Sequence, residues 1–354
     1  MTALCDFWAN QLGGTFLAPG STLSLAALAC TLAVAILCVV PLKRPSRPAV
    51  IARALFPRWL WKSASGRADI GYFLFSLLFA GLAFGWALLS AGKMESLITH
   101  WLEQCFGRGP RFPVSNLTRL GITIGAFVVY EFAYWLDHFL MHKIPILWQF
   151  HATHHSAEHL SLLTNSRVHP VDTFIFYNIV AICLGTFSGI VGWTLAGETQ
   201  PYAVGGTNAL IMLSAVFLTH LQHSQLWVTF GSFWGRWFLS PAHHQIHHSS
   251  SREHHDRNFG NSLTIWDALF GTLTKPPAKR PKIIFGVAGL SYNPHSLRGA
   301  ATGPFADAWR LISRWRNATA QEPDPAVVGV GLPGPGSIIE RPAPKQSWGR
   351  PPIV

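Results

Sequence analysis

Between His138 and His255 the chain carries fifteen of its seventeen histidines. They fall at His138 and His142, at His151, His154 and His155, at His220 and His223, and at His243, His244, His247 and His248, with long apolar segments between the groups. Neutral imidazole is the commonest protein ligand for transition metals. Nine or more imidazoles exceed what one ion can take, so the pattern predicts a two-metal site. On a helix, His138 and His142 share one face, as do His151, His154 and His155 at i, i+3 and i+4; His244, His247 and His248 repeat that spacing. Burying so many imidazoles without a metal would leave many polar nitrogens to satisfy. An all-histidine donor set disfavours magnesium and calcium, which prefer oxygen. Zinc and iron remain, and spacing alone does not separate them. Hydrolytic zinc sites usually take three protein ligands, so a larger set over two ions suits iron and dioxygen chemistry better.

The expected ligands are His138, His142, His151, His154, His155, His223, His244, His247 and His248, with His220 added as a tenth. His243 adjoins His244 and points elsewhere, as a supporting residue. His169, between Arg167 and Pro170, reads as a positioning residue. His254 and His255 lie in a polar loop, His159 falls outside the ligand set, and His100 and His295 read as ordinary surface residues. Metal-bound imidazoles normally donate their other N–H to a carboxylate or carbonyl, and Asp137, Glu158, Asp172, Asp256 and Asp267 are placed to accept it. Glu131 lies inside an apolar span, where an acid is costly and therefore a functional candidate.

The elements that position these residues read as membrane helices. Of 354 residues 49% are hydrophobic and only 12% charged, which favours a membrane protein over a large soluble core. The net charge of +11 reads as basic residues flanking spans rather than as a nucleic-acid surface. Five scattered cysteines without a CxxC pair read as core or lipid-facing thiols rather than a disulfide framework or zinc ribbon. Leu23 to Leu42, Ile70 to Ala91, Leu120 to about Trp135, Thr173 to Trp193 and Ala203 to Thr219 are apolar and read as spans. The third continues as a helix through His142. Lys43, Arg44, Arg47, Arg53, Arg58, Lys62 and Arg67, against the single acid Asp69, place the first loop in the cytoplasm. The histidine groups then fall at cytoplasmic ends. The aromatic stretch Trp227 to Phe238 suits an interfacial helix. The expected fold is all-α: a polytopic transmembrane bundle with a cytoplasmic, histidine-rich helical cap. Residues 1–119 form an N-terminal membrane region, 120–274 a catalytic domain, and 275–354 a basic, proline-rich and largely disordered tail.

At these residues the chain resembles the fatty acid hydroxylase and sterol desaturase superfamily. The matching stretches are Tyr134-Trp135-Leu136-Asp137-His138 to His142, Leu147 to Glu158, Arg167-Val168-His169-Pro170, Gln222-His223-Ser224, Ser240 to Ser249, Asp256 to Asn261, and Trp266 to Thr272. The resemblance covers roughly Gly121 to Thr274. It implies a histidine-ligated pair of iron ions, replaceable by zinc during expression. It also implies oxygen-dependent hydroxylation or desaturation of a membrane lipid, with electrons from a separate cytochrome, ferredoxin or reductase. Phe139 departs from the family, where many relatives carry Arg, and Gln225 stands where His-Ser-Asn is usual; neither removes an expected ligand.

The function expected is therefore an oxygen-dependent, non-haem di-iron lipid hydroxylase or desaturase in a multi-pass membrane protein. A bacterial inner membrane is favoured over the endoplasmic reticulum. A histidine-rich membrane metal transporter is the alternative; histidines at span ends rather than mid-membrane count against it. An intramembrane metalloprotease would need an HExxH motif, which the chain lacks.

Overall fold

The computed structural model describes residues 2–39, 52, 56–84, 88–195 and 200–320. Two compact units divide at Ile312. The first begins with α1 (Thr2–Phe16) and α2 (Leu25–Val39), then α3 (Arg58–Lys62), α4 (Ala64–Phe84) and α5 (Ala91–Phe106). Next come α6 (Asn116–Lys143), α7 (Pro145–His155) and α8 (Pro170–Thr194). A small antiparallel ribbon pairs Ala203 with Asn208 and Val204 with Thr207. It leads into α9 (Ala209–Phe217), α10 (Gly231–Trp234), α11 (Pro241–His247), α12 (Ile265–Leu269) and α13 (Leu297–Ala320).

Among the described residues, two helices are long and apolar enough to cross a membrane. They are α6 with 28 residues and α8 with 25, or roughly 42 and 37 Å at about 1.5 Å per residue against a hydrocarbon core of about 30 Å. A core helix of a soluble protein would bury most of its length, whereas only 33% and 17% of their apolar windows are buried. Large apolar side chains stand exposed along both, among them Leu117, Leu120 and Ile124 on α6 and Phe174, Ile182 and Ile190 on α8. Each starts where the sequence can cap it. Ser115 accepts from the Thr118 amide, and His169 Nδ1 accepts from the Val171 amide ahead of Pro170. Helix α8 also packs along α5 at Gly185 and Gly189, one turn apart. A Cβ on Gly185 would come within 2.4 Å of Met94 Cβ, and one on Gly189 within 2.7 Å of Ile98 Cβ. Small residues at this spacing let two helix backbones approach closely.

Several expectations are revised. Ala203 to Thr219 is not one span: the Gly205-Gly206 turn and the Asn208 cap leave a helix of nine residues, roughly 13 Å long. Helix α2 has 15 residues, too few to cross without Val40 to Leu42, which lie outside the described residues. Trp227 to Phe238 holds a helix of only four residues, since Gly231 takes φ +67° and the segment turns; Phe233, Trp234 and Trp237 remain exposed. Beyond the second expected span the chain forms the 16-residue α5, capped by Ser90. The supposed disordered tail contains the 24-residue α13. Residues from Glu322 onward lie outside the described residues. Asp69, counted as a loop acid, is fully buried in α4.

Candidate metal centre

The centre forms where α6 ends and α7 and α11 pack beside it. His138 and His142 occupy the last turns of α6, and His151, His154 and His155 the C-terminal half of α7. His244 and His247 lie on α11, which His248 terminates, and His223 follows the turn Thr219–Leu221. Nine of the ten expected ligands converge into two groups. His138, His142, His151, His155 and His247 form one, and His154, His223, His244 and His248 the other; within each group the donor atoms lie within 4.8 Å of one another. His220 is buried but belongs to neither group.

The partition does not follow the sequence motifs. Each i, i+4 pair stays together: His138 with His142, His151 with His155, and His244 with His248. The i+3 histidine of each HxxHH motif crosses over, His154 joining the second group and His247 the first. One motif therefore feeds both groups, and the His155 and His248 rings stack between them at 4.4 Å.

The chemistry of the donors fits metal ions. His138 Nδ1 lies 2.9 Å from the Phe259 carbonyl, His154 Nδ1 3.2 Å from that of Arg167, and His247 Nδ1 2.8 Å from that of Arg257. A carbonyl only accepts, so each Nδ1 carries the proton and each neutral ring turns an Nε2 lone pair inward. His151 Nδ1 lies 2.7 Å from Asp172 Oδ2, and His142 Nδ1 3.7 Å from Asp256 Oδ1. His138 Nε2 and His151 Nε2 are buried without a hydrogen-bond partner. In the second group the Nε2 atoms of His223, His244 and His248 lie 3.0, 3.1 and 3.2 Å apart, with His154 Nε2 3.1 Å from His223. Three mutually touching nitrogens cannot all be satisfied by protons, because at least one edge must join two donors or two acceptors. A cation satisfies all of them. At a metal–nitrogen distance of about 2.1 Å, adjacent ligands of one ion stand roughly 3.0–3.4 Å apart, the spacing observed.

Burial first, then the neighbouring imidazoles, hold His154, His155, His244 and His248 well below the usual histidine pKa. His223 and His247 fall to about 3. The rings are therefore neutral near pH 7, the form that binds metal.

Buried charges hold the supporting backbone. Asp267 accepts from Trp135 Nε1, the Phe259 and Gly260 amides and Thr272 Oγ1. Glu131, fully buried on α6, accepts from Asn261 Nδ2, the Ser262 amide and hydroxyl, and the Leu263 amide. Together they fasten 259–263 to α6 and aim the Phe259 carbonyl at His138. Arg167, fully buried, donates to Asp69 Oδ1 at 2.8 Å and to the carbonyls of Thr153, Ser65 and Pro294. Its own carbonyl orients His154.

The remaining candidates take other roles. His169 caps α8. His243 Nδ1 receives the Ser240 amide at the start of α11, and His254 Nδ1 meets Ser249 Oγ at 2.9 Å. His159 packs on Trp59, and His100 lies beside Gln104. His255 is exposed. His295 is not an ordinary surface residue, since it lies between Arg167 Nη2 at 2.8 Å and Glu158 at 3.3 Å. Of the five acids expected behind the histidines, Asp172 makes that contact directly and Asp256 stands near it. Asp267 acts through the backbone, Asp137 leaves Oδ1 unpartnered, and Glu158 serves His295. The Arg167–Asp69 pair was missed; its signal was an aspartate at the start of an apolar helix.

Residues 123–272 match the fatty acid hydroxylase family. Alkylglycerol monooxygenase of Xenopus tropicalis is 27% identical over 171 residues, covering 46% of this chain and 32% of that protein. Ornithine lipid hydroxylase OlsE of Rhizobium tropici is 32% identical over 169 residues, covering 47% and 44%. Fatty acid hydroxylase vlmA of a Lecanicillium species is 26% identical over 154 residues, covering 41% and 40%. The chain thus spans less than half the length of each of these relatives. No solved structure matches.

Proposed function

We propose that the protein is a membrane-bound, metal-dependent lipid hydroxylase, because residues 123–272 match the fatty acid hydroxylase family and lipid hydroxylases are among its relatives. The observation that carries this reading is the convergence of nine imidazoles in two groups beside two helices of membrane-crossing length. Two irons are the ions proposed, one held by His138, His142, His151, His155 and His247 and the other by His154, His223, His244 and His248; zinc is the competing occupant. Bound there, the pair supplies the reductive activation of dioxygen that oxidation of an unactivated C–H bond requires.

The chain's own residues hold the donors in place. The carbonyls of Phe259, Arg167 and Arg257, with Asp172, keep the Nδ1 protons on the outer side. Burial keeps bulk water away from the donors. Hydroxylation consumes one dioxygen, two electrons and two protons per C–H bond and releases one water. A separate electron donor is therefore part of the reading, a cytochrome, ferredoxin or reductase. Lys143, Arg252 and Arg257 near the histidine end favour a cytoplasmic orientation. The relatives are named for an alkylglycerol, an ornithine lipid and a fatty acid. We infer a membrane lipid as substrate and hydroxylation rather than desaturation.

The test is isotope incorporation. Membranes holding the iron-loaded protein, a reductant and a panel of ether, ornithine, acyl and sterol lipids are incubated under ¹⁸O₂. One ¹⁸O in one lipid class, absent with His244→Ala, is expected. Loss of two hydrogens without label would mean desaturation. No oxidised lipid in any class would sink the reading.

A further inference from the structure

A chain of aromatic rings runs from the protein surface to one of the two histidine groups. Phe270, directly after α12, is 52% exposed. Its ring stacks on Trp135 at 4.4 Å, and Trp135 stacks on Phe139 at 5.0 Å. Phe139 meets Phe259 edge-on at 5.7 Å. Phe259 in turn meets the rings of His142, His138 and His247 at 5.0, 5.5 and 5.7 Å. All three belong to the five-histidine group. These centroid separations are those of rings in contact. Trp135 is buried, and its Nε1 donates to Asp267 Oδ1 at 3.2 Å, which fixes the middle of the chain. An electron tunnels further through packed atoms than across a gap. The rings therefore offer charge a route from Phe270 to the buried donors.

The surface end has the make-up of a docking site. Leu269, beside Phe270, is 68% exposed, and cations flank the pair. Arg257 Nη1 donates to the Gly271 carbonyl at 3.0 Å. Lys143, itself exposed and paired with Asp256, lies 5.9 Å from the Phe139 ring. From Arg252 to Lys282 the chain carries six lysines and arginines against three acids, one of which, Asp267, is buried. An apolar, aromatic centre within a charged rim is the composition of protein interfaces, and the excess positive charge selects an acidic partner. A bilayer would also accept Leu269 and Phe270, but it delivers no electrons to the rings behind them.

We propose that Leu269 and Phe270, with Lys143 and Arg257, form the docking site of the electron donor, a small acidic one-electron carrier protein. Electrons pass from Phe270 through Trp135, Phe139 and Phe259 to the five-histidine group. The proposal rests on the lipid hydroxylase reading, whose reaction needs two electrons. In each of two encounters the carrier is oxidised by one electron, and the iron pair is reduced by two. The rings carry the charge by tunnelling, and no bond forms or breaks in the transfer.

Binding and electron transfer are read separately. The protein in phosphatidylcholine nanodiscs, loaded once with zinc and once with iron, is titrated with a plant-type [2Fe–2S] ferredoxin, an acidic one-electron carrier. Saturable binding that weakens as salt rises is expected with both metals. Phe270→Glu should weaken it about 30-fold or more. Lys143→Glu should weaken it about tenfold and flatten the salt dependence, with metal content unchanged. Arg108→Glu, at the opposite end of α8, is the charge control and should change nothing. Trp135→Leu should leave binding intact and slow oxidation of flash-reduced ferredoxin by the iron form several-fold. Phe139→Leu, at a less buried position, is the second variant should the first fail to fold. No ferredoxin binding, or binding that survives both Phe270→Glu and Lys143→Glu, overturns the docking site and assigns the patch to the bilayer surface. Transfer that keeps its wild-type rate in both ring variants overturns the route. Binding that behaves as expected while the iron form of the wild type accepts no electrons would instead overturn the hydroxylase reading and leave the docking site standing.

Discussion

The crossing of the two HxxHH motifs makes a prediction that motif reading would get wrong. If His244 and His248 serve one ion while His247 serves the other, then His244→Ala/His248→Ala strips one ion and spares its neighbour. The adjacent pair His247→Ala/His248→Ala should weaken both. Four-ligand zinc sites bind with about 10–16 kcal/mol, or roughly 2.5–4 kcal/mol per ligand. One lost imidazole therefore costs about two to three orders of magnitude in affinity. The second group drops from four ligands to two in the first variant, beyond what holds an ion against a chelator. In the second variant the first group keeps four and the second three, so both release midpoints move by one ligand's worth, the four-ligand group further. His142→Ala/His155→Ala is the mirror case, leaving the second group intact. The assay is metal per chain by mass spectrometry across a buffered chelator series on detergent-purified protein. Equal weakening of both ions by His244→Ala/His248→Ala, or an ion left at its wild-type midpoint by His247→Ala/His248→Ala, would refute the partition.

Three further outcomes follow from the supporting contacts. Asp172→Ala removes the acceptor behind His151 and should lower affinity in the five-histidine group about 10–100-fold, leaving the other midpoint unchanged in the same chelator series. Arg167→Met leaves the Asp69 carboxylate buried and unpaired and should cost about 3–5 kcal/mol; thermal melts should recover most of it in Arg167→Met/Asp69→Leu, and no recovery would show that the unpaired charge is not the cause. His223 and His247 have folded pKa values of about 3 against an ordinary value of about 6.5, so between those limits the unfolded chain binds more protons and stability falls as pH falls. At pH 5.5 each costs about 1.4 kcal/mol, and the metal-free protein should melt lower at pH 5.5 than at pH 7.5; an unchanged melting temperature would contradict this.

The ligand types and most of their elements were legible because imidazole spacing and apolar run length are local signals. The spans ending at His142 and starting near Thr173 emerge as α6 and α8. The partition was not legible: i, i+3 and i+4 all share a face, and only the packing of α7 against α6 and α11 decides which ring turns to which ion. His220 shows the same limit. Its spacing to His223 equals that of two ligands, yet His220 sits within the short turn Thr219–Leu221 and joins neither group, a placement that spacing does not encode. Ala203 to Thr219 looked like a span because its residues are apolar; the ribbon is set by Gly205 and Gly206, both with positive φ, which hydropathy does not see.

The buried charges outside the ligand set share one physical logic. An imidazole in apolar surroundings has one nitrogen for a metal and one that must still be satisfied. Among the described contacts Asp172 alone does this with a carboxylate inside hydrogen-bond distance; His138, His154 and His247 use backbone carbonyls at Phe259, Arg167 and Arg257. A loop carbonyl is a useful acceptor only if the loop cannot move, and these lie in irregular backbone that helix hydrogen bonding does not hold. Glu131 and Asp267 gather seven donors from 259–272 and an eighth, Trp135 Nε1, from α6, and Arg167 ties α4, α7 and the stretch before α13 to one guanidinium. The cost of burying those charges is offset by full hydrogen bonding. What they supply to the centre is orientation without added negative charge beside the metals, so that nine rings face inward from segments far apart in sequence.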